Sequence, residues 1–398
     1  LATGTPITNT LGEAWMMTNI MAPHTLQQFN ADTFDRFVGN FASIEPAFEM
    51  NAGGKWVAKN SLKKFQNGPE LMKLLRASWD VITSEKLAAL LGHEAGGLPK
   101  LKGEKVQAVV VPQSSAVQSF NDVLKQVYQK FSKLPGQEKK DWSYIPILTF
   151  MAGRAAALDI QLVYPSAKED PQSKVNAAAK RAADIYAATE KDKSTQLIFC
   201  DTFNPVKMDK LVSFAKGEFA GVQIEEDDSE KEEAALVEKH ERFLYGKLVK
   251  KLVQQGVKKD DIAIITDYDT DAKRNSLFEK VNRGDVRIVI GSTQKMGIGV
   301  NVQTKLKALH HLDSPYLPAD LEQREGRIVR FGNENAEVEV YSYGMEGTLD
   351  AAIWTKLLRK SKFIRQALSG QITEREFEDP AGPVVLSAEE QVALLSGD

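Results

Sequence analysis

Gln323, Arg324, Arg327 and Arg330 form a Gln-Arg-x-Gly-Arg-x-x-Arg cluster. Arg327 and Arg330, three residues apart on a helix predicted from Ala319 to Val329, leave one helix face. Both can reach one phosphate chain with planar, forked donors, and arginines so placed stabilise charge developing on a transferring γ-phosphoryl group. Upstream lies Gly291-Ser-Thr-Gln-Lys-Met-Gly-Ile-Gly-Val-Asn-Val-Gln303. Ser292, Thr293 and Gln294 directly follow a predicted strand and offer hydroxyl, amide and backbone N–H donors to phosphates, while Gly297 and Gly299 permit tight backbone. Taken singly, the arginine cluster is more often a surface salt-bridge face and the Gly-x-Gly a structural turn. In this order they point to a nucleotide polyphosphate held between two surfaces. The opening Thr3-Gly-Thr-Pro-Ile-Thr-Asn9 is small, polar and turn-forming, suited to passing between nucleotide and nucleic-acid surfaces.

These residues need strands to carry them. From Ser173 helices and short apolar strands alternate: a helix to Thr189, a strand Gln196–Cys200, a helix from Glu238 to Gln255 and a strand Ile262–Ile265. A helix Asp271–Asn282 follows, then strands Val286–Ile290 and Ala308–Leu312, the arginine helix, and a strand Glu337–Tyr341. This pattern predicts an α/β fold with a doubly wound parallel sheet, whose ligands sit at the carboxyl ends of the strands. Before Ser173 the texture differs. Thr10 to Phe48 reads as helical, with Phe29, Phe34, Phe37 and Phe41 packing a core, and Ser61 to Leu91 as another amphipathic segment after the loop Asn51–Gly54. Gly96-Gly97-Leu-Pro99 marks a domain edge. Lys105 to Val111 reads as an edge strand, Ser114 to Leu134 as a helix with a serine cap, and Leu148 to Leu158 as helix because of its alanines.

The 398 residues suffice for two or three domains, with 42% hydrophobic and 26% charged residues, as in ordinary soluble globular proteins. A formal charge of -3 advertises no overall basic field. The single cysteine, Cys200, excludes an intramolecular disulfide and fits a reducing cytoplasm, and no Cys/His cluster has zinc spacing, so no metal site is expected. No apolar run reaches the roughly 18 residues of a membrane helix, and the start lacks a signal-peptide profile. The chain opens without an initiator Met on a strand-to-turn sequence, from which a fragment of a larger protein is expected.

Three strings in this order resemble motifs III, V and VI of superfamily 2 helicases, most closely the Swi/Snf-like branch: Thr3–Asn9 continued by Glu13-Ala-Trp15, Gly291–Gln303, and Gln323–Arg330. Gln196–Phe203 matches the opening strand of that family's second lobe. Thr270–Phe278 and Ala308–Arg327 look like the helicase portion of large phage and plasmid methylase-helicase proteins, some of them anti-restriction factors. The resemblance covers nearly the whole chain and implies two RecA-like lobes clamping ATP with DNA, through its duplex backbone, across both. Residues 1–100 would be the end of the first lobe with a helical insertion, 101–172 a helical bridge, 173–370 the second lobe and 371–398 an extension. Carried over, Arg327 and Arg330 are arginine fingers and Gln323 and Arg324 nucleotide contacts. Gly297 and Gly299 form the turn coupling the ATP and DNA sites, Ser292, Thr293 and Gln294 contact DNA, and Gly4, Thr5 and Asn9 belong to the first lobe's coupling motif. ATP and Mg²⁺ are the implied cofactors, and a bacterial or phage-infected cytoplasm, or a virion, the implied place. One departure matters: the sequence has neither Gly-x-x-x-x-Gly-Lys-[Ser/Thr] nor Asp-Glu-x-His. The phosphate-holding lysine and Mg²⁺-holding carboxylates are therefore expected in a missing N-terminal lobe, an attached methyltransferase domain is compatible with the resemblance, and the chain alone is expected not to turn over ATP.

Two rival readings compete. Asp313-Ser-Pro-Tyr316 imitates the motif with which adenine methyltransferases hold a flipped base. A helicase-derived scaffold that binds DNA or proteins without motor activity is the other. His310 and His311 adjoin in a predicted strand, point to opposite faces and read as structural. Lys356, Arg359, Lys360, Lys362 and Arg365 make a C-terminal helix, Ala351–Leu368, basic, which suits phosphate-backbone contacts.

Overall fold

The computed structural model describes residues 3, 6–8, 10–50, 56–82, 98–202, 204, 206–215, 243–297, 299–370 and 372–378, with side chains over 44–63 and at 378 excluded. At its centre are β5 (Thr195–Phe199), β7 (Ile288–Gly291) and β8 (Leu306–His311), flanked by β6 (Ile262–Ile264) on one side and β9 (Glu337–Met345) on the other. β3 (Lys100–Leu101) and β4 (Gln107–Val111) both pair with β9. All these pairings are parallel, in the order β3-β9-β8-β5-β7-β6. Every residue of β5 is buried, because both faces of the sheet are covered. Ile198 faces α8 (Lys174–Ala188) and α10 (Phe243–Gln254), whose Ala178, Ala182 and Leu248 share its core. Its neighbours Leu197 and Phe199 face α11 (Asp271–Arg283), with Leu277 and Val281. The period-two alternation of β5 thus feeds two separate cores, and the doubly wound α/β architecture follows.

Local signals set the helix ends. Ser173, Thr270 and Ser114 each accept a hydrogen bond from the backbone N–H three residues on, the last opening α5 (Ser115–Ser132). α11 stops at Gly284, whose φ of +83° only glycine adopts cheaply. α7 (Ile145–Leu158) is the alanine-rich helix anticipated from composition.

The earlier part of the chain departs from expectation. α1 (Glu13–Met21), α2 (Pro23–Gln28) and α3 (Phe34–Phe41) are helices, and Phe37 and Phe41 are core residues. The next segment is an antiparallel hairpin, β1 (Ala42–Met50) with β2 (Trp56–Gln66), pairing Met50 with Trp56 and Ala42 with Phe65. α4 (Gly68–Ser78) follows directly, so helix is absent from 42–48 and from 61–66, and residues 83–97 lie outside the described residues. The Asn- and Gly-rich string 51–54 separates two strand-length segments, a hairpin signal that a helical reading of either flank hides. β10 (Glu376–Glu378) adds a third strand against β2, a partner far away in sequence. Among the described residues no helix is long and apolar enough to cross a membrane.

Candidate functional site

Three strands end together at the carboxyl edge of the sheet. β5 delivers Asp201, β7 delivers Ser292 and Thr293, and β8 delivers Asp313. Thr293 opens the short helix α12 (Thr293–Met296), and α13 (Pro318–Glu325) carries Gln323 and Arg324.

Arg324 is 0% exposed. Its Nε donates to Thr293 Oγ1 at 2.8 Å, its Nη1 to the Asp313 carbonyl at 2.8 Å, and its Nη2 to Asp201 Oδ2 at 2.8 Å. Asp201 also accepts from the Thr293 N–H at 2.7 Å and hydroxyl at 2.8 Å. The Asp313 carboxylate accepts from the N–H groups of Asp201 and Thr202. Burial, the largest influence on Asp313, raises its pKa, but Arg324, Arg154 and these N–H donors outweigh it and hold the carboxyl below its usual range. Beside it, burial first and then Asp313 and Asp201 push the Cys200 thiol well above its ordinary value, so it stays protonated and unreactive.

The guanidinium of Arg324, expected at a nucleotide, donates into this internal network. The Thr293 N–H and hydroxyl, expected at nucleic-acid phosphate, both donate to Asp201, and Ser292 beside it is buried. Gln294 is exposed. Asp313 has no exposed carboxylate with which to hold a flipped base, which removes the basis of the methyltransferase reading.

Arg327 and Arg330 lie beyond the helix. α13 ends at Glu325, and the chain continues through turns in which Arg327 N–H donates to the Arg324 carbonyl and Ile328 N–H to the Glu325 carbonyl. Gly326 favours that exit, and Asn333 Nδ2 donates to the Ile328 carbonyl at 3.0 Å. The two arginines nevertheless converge, by turn geometry rather than helical spacing. Arg327 donates to Gly297 O at 2.8 Å, Val300 O at 2.9 Å and Gln323 O at 3.2 Å. Arg330 reaches the same Val300 carbonyl at 3.5 Å. Burial, then the like charge of Arg330, lowers the Arg327 pKa. Glycine is favoured at both ends of the loop they grip, for different reasons: a Cβ on Gly297 would meet Thr293 O at 2.5 Å and Gln323 Oε1 at 3.4 Å, and Gly299 has φ +71°.

Gly4, Thr5 and Asn9 lie outside the described residues. Around them Glu13 accepts from Thr8 N–H at 2.7 Å and from Thr10 N–H at 3.2 Å, while Ile7 and Leu11 are buried with Phe37 and Phe65.

Sequence reasoning misses Asp201 and Arg154. The signal for Asp201 is a carboxylate directly after the apolar run Leu197–Cys200. Arg154, 4% exposed within α7, gives no signal beyond a lone charge among alanines. It donates to Ser314 O at 2.7 Å, and its guanidinium lies 4.4 Å from the centre of the Tyr316 ring. A cavity of about 410 Å³ opens there, lined by Met151, Arg154, Asp201, Thr202 and Tyr316 among others.

Residues 247–332 match the family of the helicase conserved C-terminal domain. A curated relative, "Defense against restriction protein B" of Escherichia phage P1, is 33% identical over 91 residues, 23% of this chain but only 4% of that protein. Among solved structures, the Sulfolobus solfataricus SWI2/SNF2 ATPase core domain is 15% identical, with 96% of this chain and 62% of that one covered at a TM-score of 0.43. The C-terminal domain of a Sulfolobus solfataricus SWI2/SNF2 ATPase is 13% identical, covering 67% and 93% at a TM-score of 0.39. The match to the helicase conserved C-terminal domain spans β6, β7, β8 and α13, and with them Thr293, Gly297, Arg324, Arg327 and Arg330.

Proposed function

We propose that the chain supplies the second lobe of an ATP-driven DNA translocase, with Arg327 and Arg330 as the groups that meet the nucleotide's terminal phosphates. The observation that carries this reading is the convergence of both guanidiniums on one carbonyl, Val300 O, within the helicase C-terminal domain. Two like charges held together are poised for an anion. A polyphosphate would offer charge-assisted acceptors stronger than the neutral carbonyls that Arg327 now engages. When Arg327 exchanges those carbonyls for phosphoryl oxygens, Gly297 and Val300 are released, and the loop carrying Gln294 moves. Hydrolysis reverses the exchange. The arginines thereby couple nucleotide state to the DNA-facing loop.

Bound ATP supplies the phosphoanhydride, and Mg²⁺ neutralises its charge. The residues of this chain fit the arginine half of such a site. Among the described residues no group of three or more His, Cys, Asp or Glu side chains could hold a metal ion. We place the Mg²⁺ carboxylates and the phosphate-binding loop on a partner lobe of the same polypeptide, and expect no ATP turnover by the present chain alone. A soluble, cytoplasmic protein of bacterial or phage origin is part of this proposal.

The test is DNA-stimulated ATP hydrolysis by the protein that joins this chain to its phosphate-binding lobe, compared with Arg327→Ala and Arg330→Ala. Loss of hydrolysis with DNA binding kept supports the motor. Unchanged hydrolysis in both variants overturns it. A second reading, a DNA-binding scaffold without motor activity, is favoured by one observation: the donors of Arg327 are already satisfied inside the chain.

A further inference from the structure

α14 (Leu349–Ser369) is the longest helix of the described residues and joins two cores. Its first half packs Leu349, Ile353, Trp354 and Leu357 against Phe150 of α7 and Leu321 of α13. Its second half sends Ile364 and Ala367 into the core of Phe37, Phe65 and Leu71. It ends at Gly370, φ +68°, whose carbonyl accepts from Arg76 Nη2 of α4 at 3.0 Å. The helix is a strut between the two parts of the chain, and its ends are held.

Its outward side is basic. Residues 349–369 contain five Lys and Arg but a single carboxylate, Asp350, which is buried and ion-paired with the equally buried Lys174. Lys360 is buried too. Arg359, Lys362 and Arg365 are exposed. At 3.6 residues per turn they fall within an arc of about 120°, spread over roughly 9 Å of helix axis. Several cations on other surface helices have a carboxylate in contact: Arg36 with Asp32, Lys273 with Asp269, Arg274 with Asp271 and Arg283 with Asp285. Among the described residues Arg359, Lys362 and Arg365 form no such ion pair, although Arg365 acts electrostatically on half-buried Glu322 of α13.

We propose that this stripe is a docking surface for the phosphate backbone of duplex DNA, separate from the loop and arginines of the helicase motifs. The proposal rests on the reading of the chain as a DNA-binding lobe and deepens it. A rigid row of cations matches the duplex, which carries a charge about every 1.7 Å along its axis. A membrane surface does not fit, because the apolar residues of α14 are consumed by the two cores and leave mainly Leu358 outside. A protein interface does not fit either, since its centre needs aromatic or apolar anchors and is depleted in lysine.

The experiment measures binding of the full chain to a fluorescent duplex of about 20 base pairs across a salt series, for wild type and for the triple variant Arg359→Gln, Lys362→Gln, Arg365→Gln, since each lost phosphate contact lowers the slope of log K against log salt by about 0.9. Glutamine preserves helix propensity, and a thermal melt matching wild type shows that the strut survives. The expected result is a slope smaller by about 2 to 3, with Arg283→Gln on α11 leaving it unchanged. Binding with an unchanged slope in the triple variant overturns the stripe and leaves the lobe's DNA-binding role intact. No binding by wild type overturns both the stripe and the DNA translocase reading.

Discussion

Arg324 Nη2 and Asp201 Oδ2 lie 2.8 Å apart beneath the carboxyl edge of the sheet, the arginine with no exposure and the aspartate with 22%. This pair ties the end of β5 to α13, and through Thr293 it also ties in the start of α12. The loop and the helix that flank the candidate nucleotide site are therefore set by one buried guanidinium, whose forked donors match three acceptors in fixed directions.

Removing one partner of such a pair strands the other. Asp201→Ala should destabilise the chain by about 1–3 kcal/mol, because buried Arg324 loses its shorter counter-charge and keeps only the Asp313 carboxylate at 3.4 Å. Arg324→Lys should be nearly as damaging, since an ammonium cannot serve Thr293, Asp201 and the Asp313 carbonyl together. Denaturant unfolding monitors both variants. A midpoint within error of wild type for either one would show that the network is dispensable.

How far this site is legible depends on what each residue owes to local sequence. Most of the parallel sheet can be read because β5, β6 and β7 are short apolar runs set between helical segments, whereas the two-residue β3 carries no such signal. The role of Gly299 can be read because a glycine announces a backbone need. Asp201 and Arg324 cannot be paired from the sequence, because 123 residues separate them and only the sheet brings β5 beside β7 and β8. Arg324 and Arg327 look equivalent in the string Gln-Arg-x-Gly-Arg, yet one is internal and the other grips the loop. Gly326 between them ends the helix, and helical spacing fails at that residue. The hairpin 42–66 is missed for another reason: its turn signal at 51–54 is hidden when either flank is read as helix, and the third strand of its sheet, β10, lies some 300 residues away.

Acid should weaken the fold before the carboxylates titrate. Burial first, then the charges of Arg181 and His311, lowers the His310 pKa from 6.5 to about 3, and burial likewise lowers that of His311. His310 is held by Tyr343 Oη at 2.9 Å and Gln196 Oε1 at 3.0 Å. With a folded pKa below the unfolded value, the unfolded chain takes up protons that the native one refuses. Stability is then constant above about pH 6.5 and falls as the pH drops toward 3, by up to about 1.4 kcal/mol per pH unit for His310, with His311 acting in the same direction. Urea midpoints at pH 7.5, 6 and 5 test this. Equal midpoints at all three would refute it.

Two glycines with positive φ should respond differently to alanine. A methyl group added at Gly299 would meet no atom within 4 Å, so Gly299→Ala costs only the left-handed backbone strain of about 1 kcal/mol. At Gly284 the same methyl would lie 2.6 Å from Lys193 O, which adds a backbone clash to the strain. Thermal melts should rank Gly284→Ala clearly below Gly299→Ala, and the reverse order would show that the turn after α11 can relax where the loop cannot.

The two candidate finger arginines should also separate when stability is measured instead of activity. Arg327 anchors three backbone carbonyls, so Arg327→Ala leaves half-buried acceptors at Gly297, Val300 and Gln323 and should destabilise by about 1–3 kcal/mol. Arg330 contributes one long hydrogen bond at 3.5 Å, so Arg330→Ala should stay within about 0.5 kcal/mol of wild type. Hydrogen exchange on residues 293–303 would locate the effect, with faster exchange in Arg327→Ala and an unchanged pattern in Arg330→Ala. Equal protection in the two variants would mean that Arg327 does not hold the loop. The coupling proposed for nucleotide exchange at its guanidinium would then lose its mechanical basis, whatever either variant did to ATP hydrolysis.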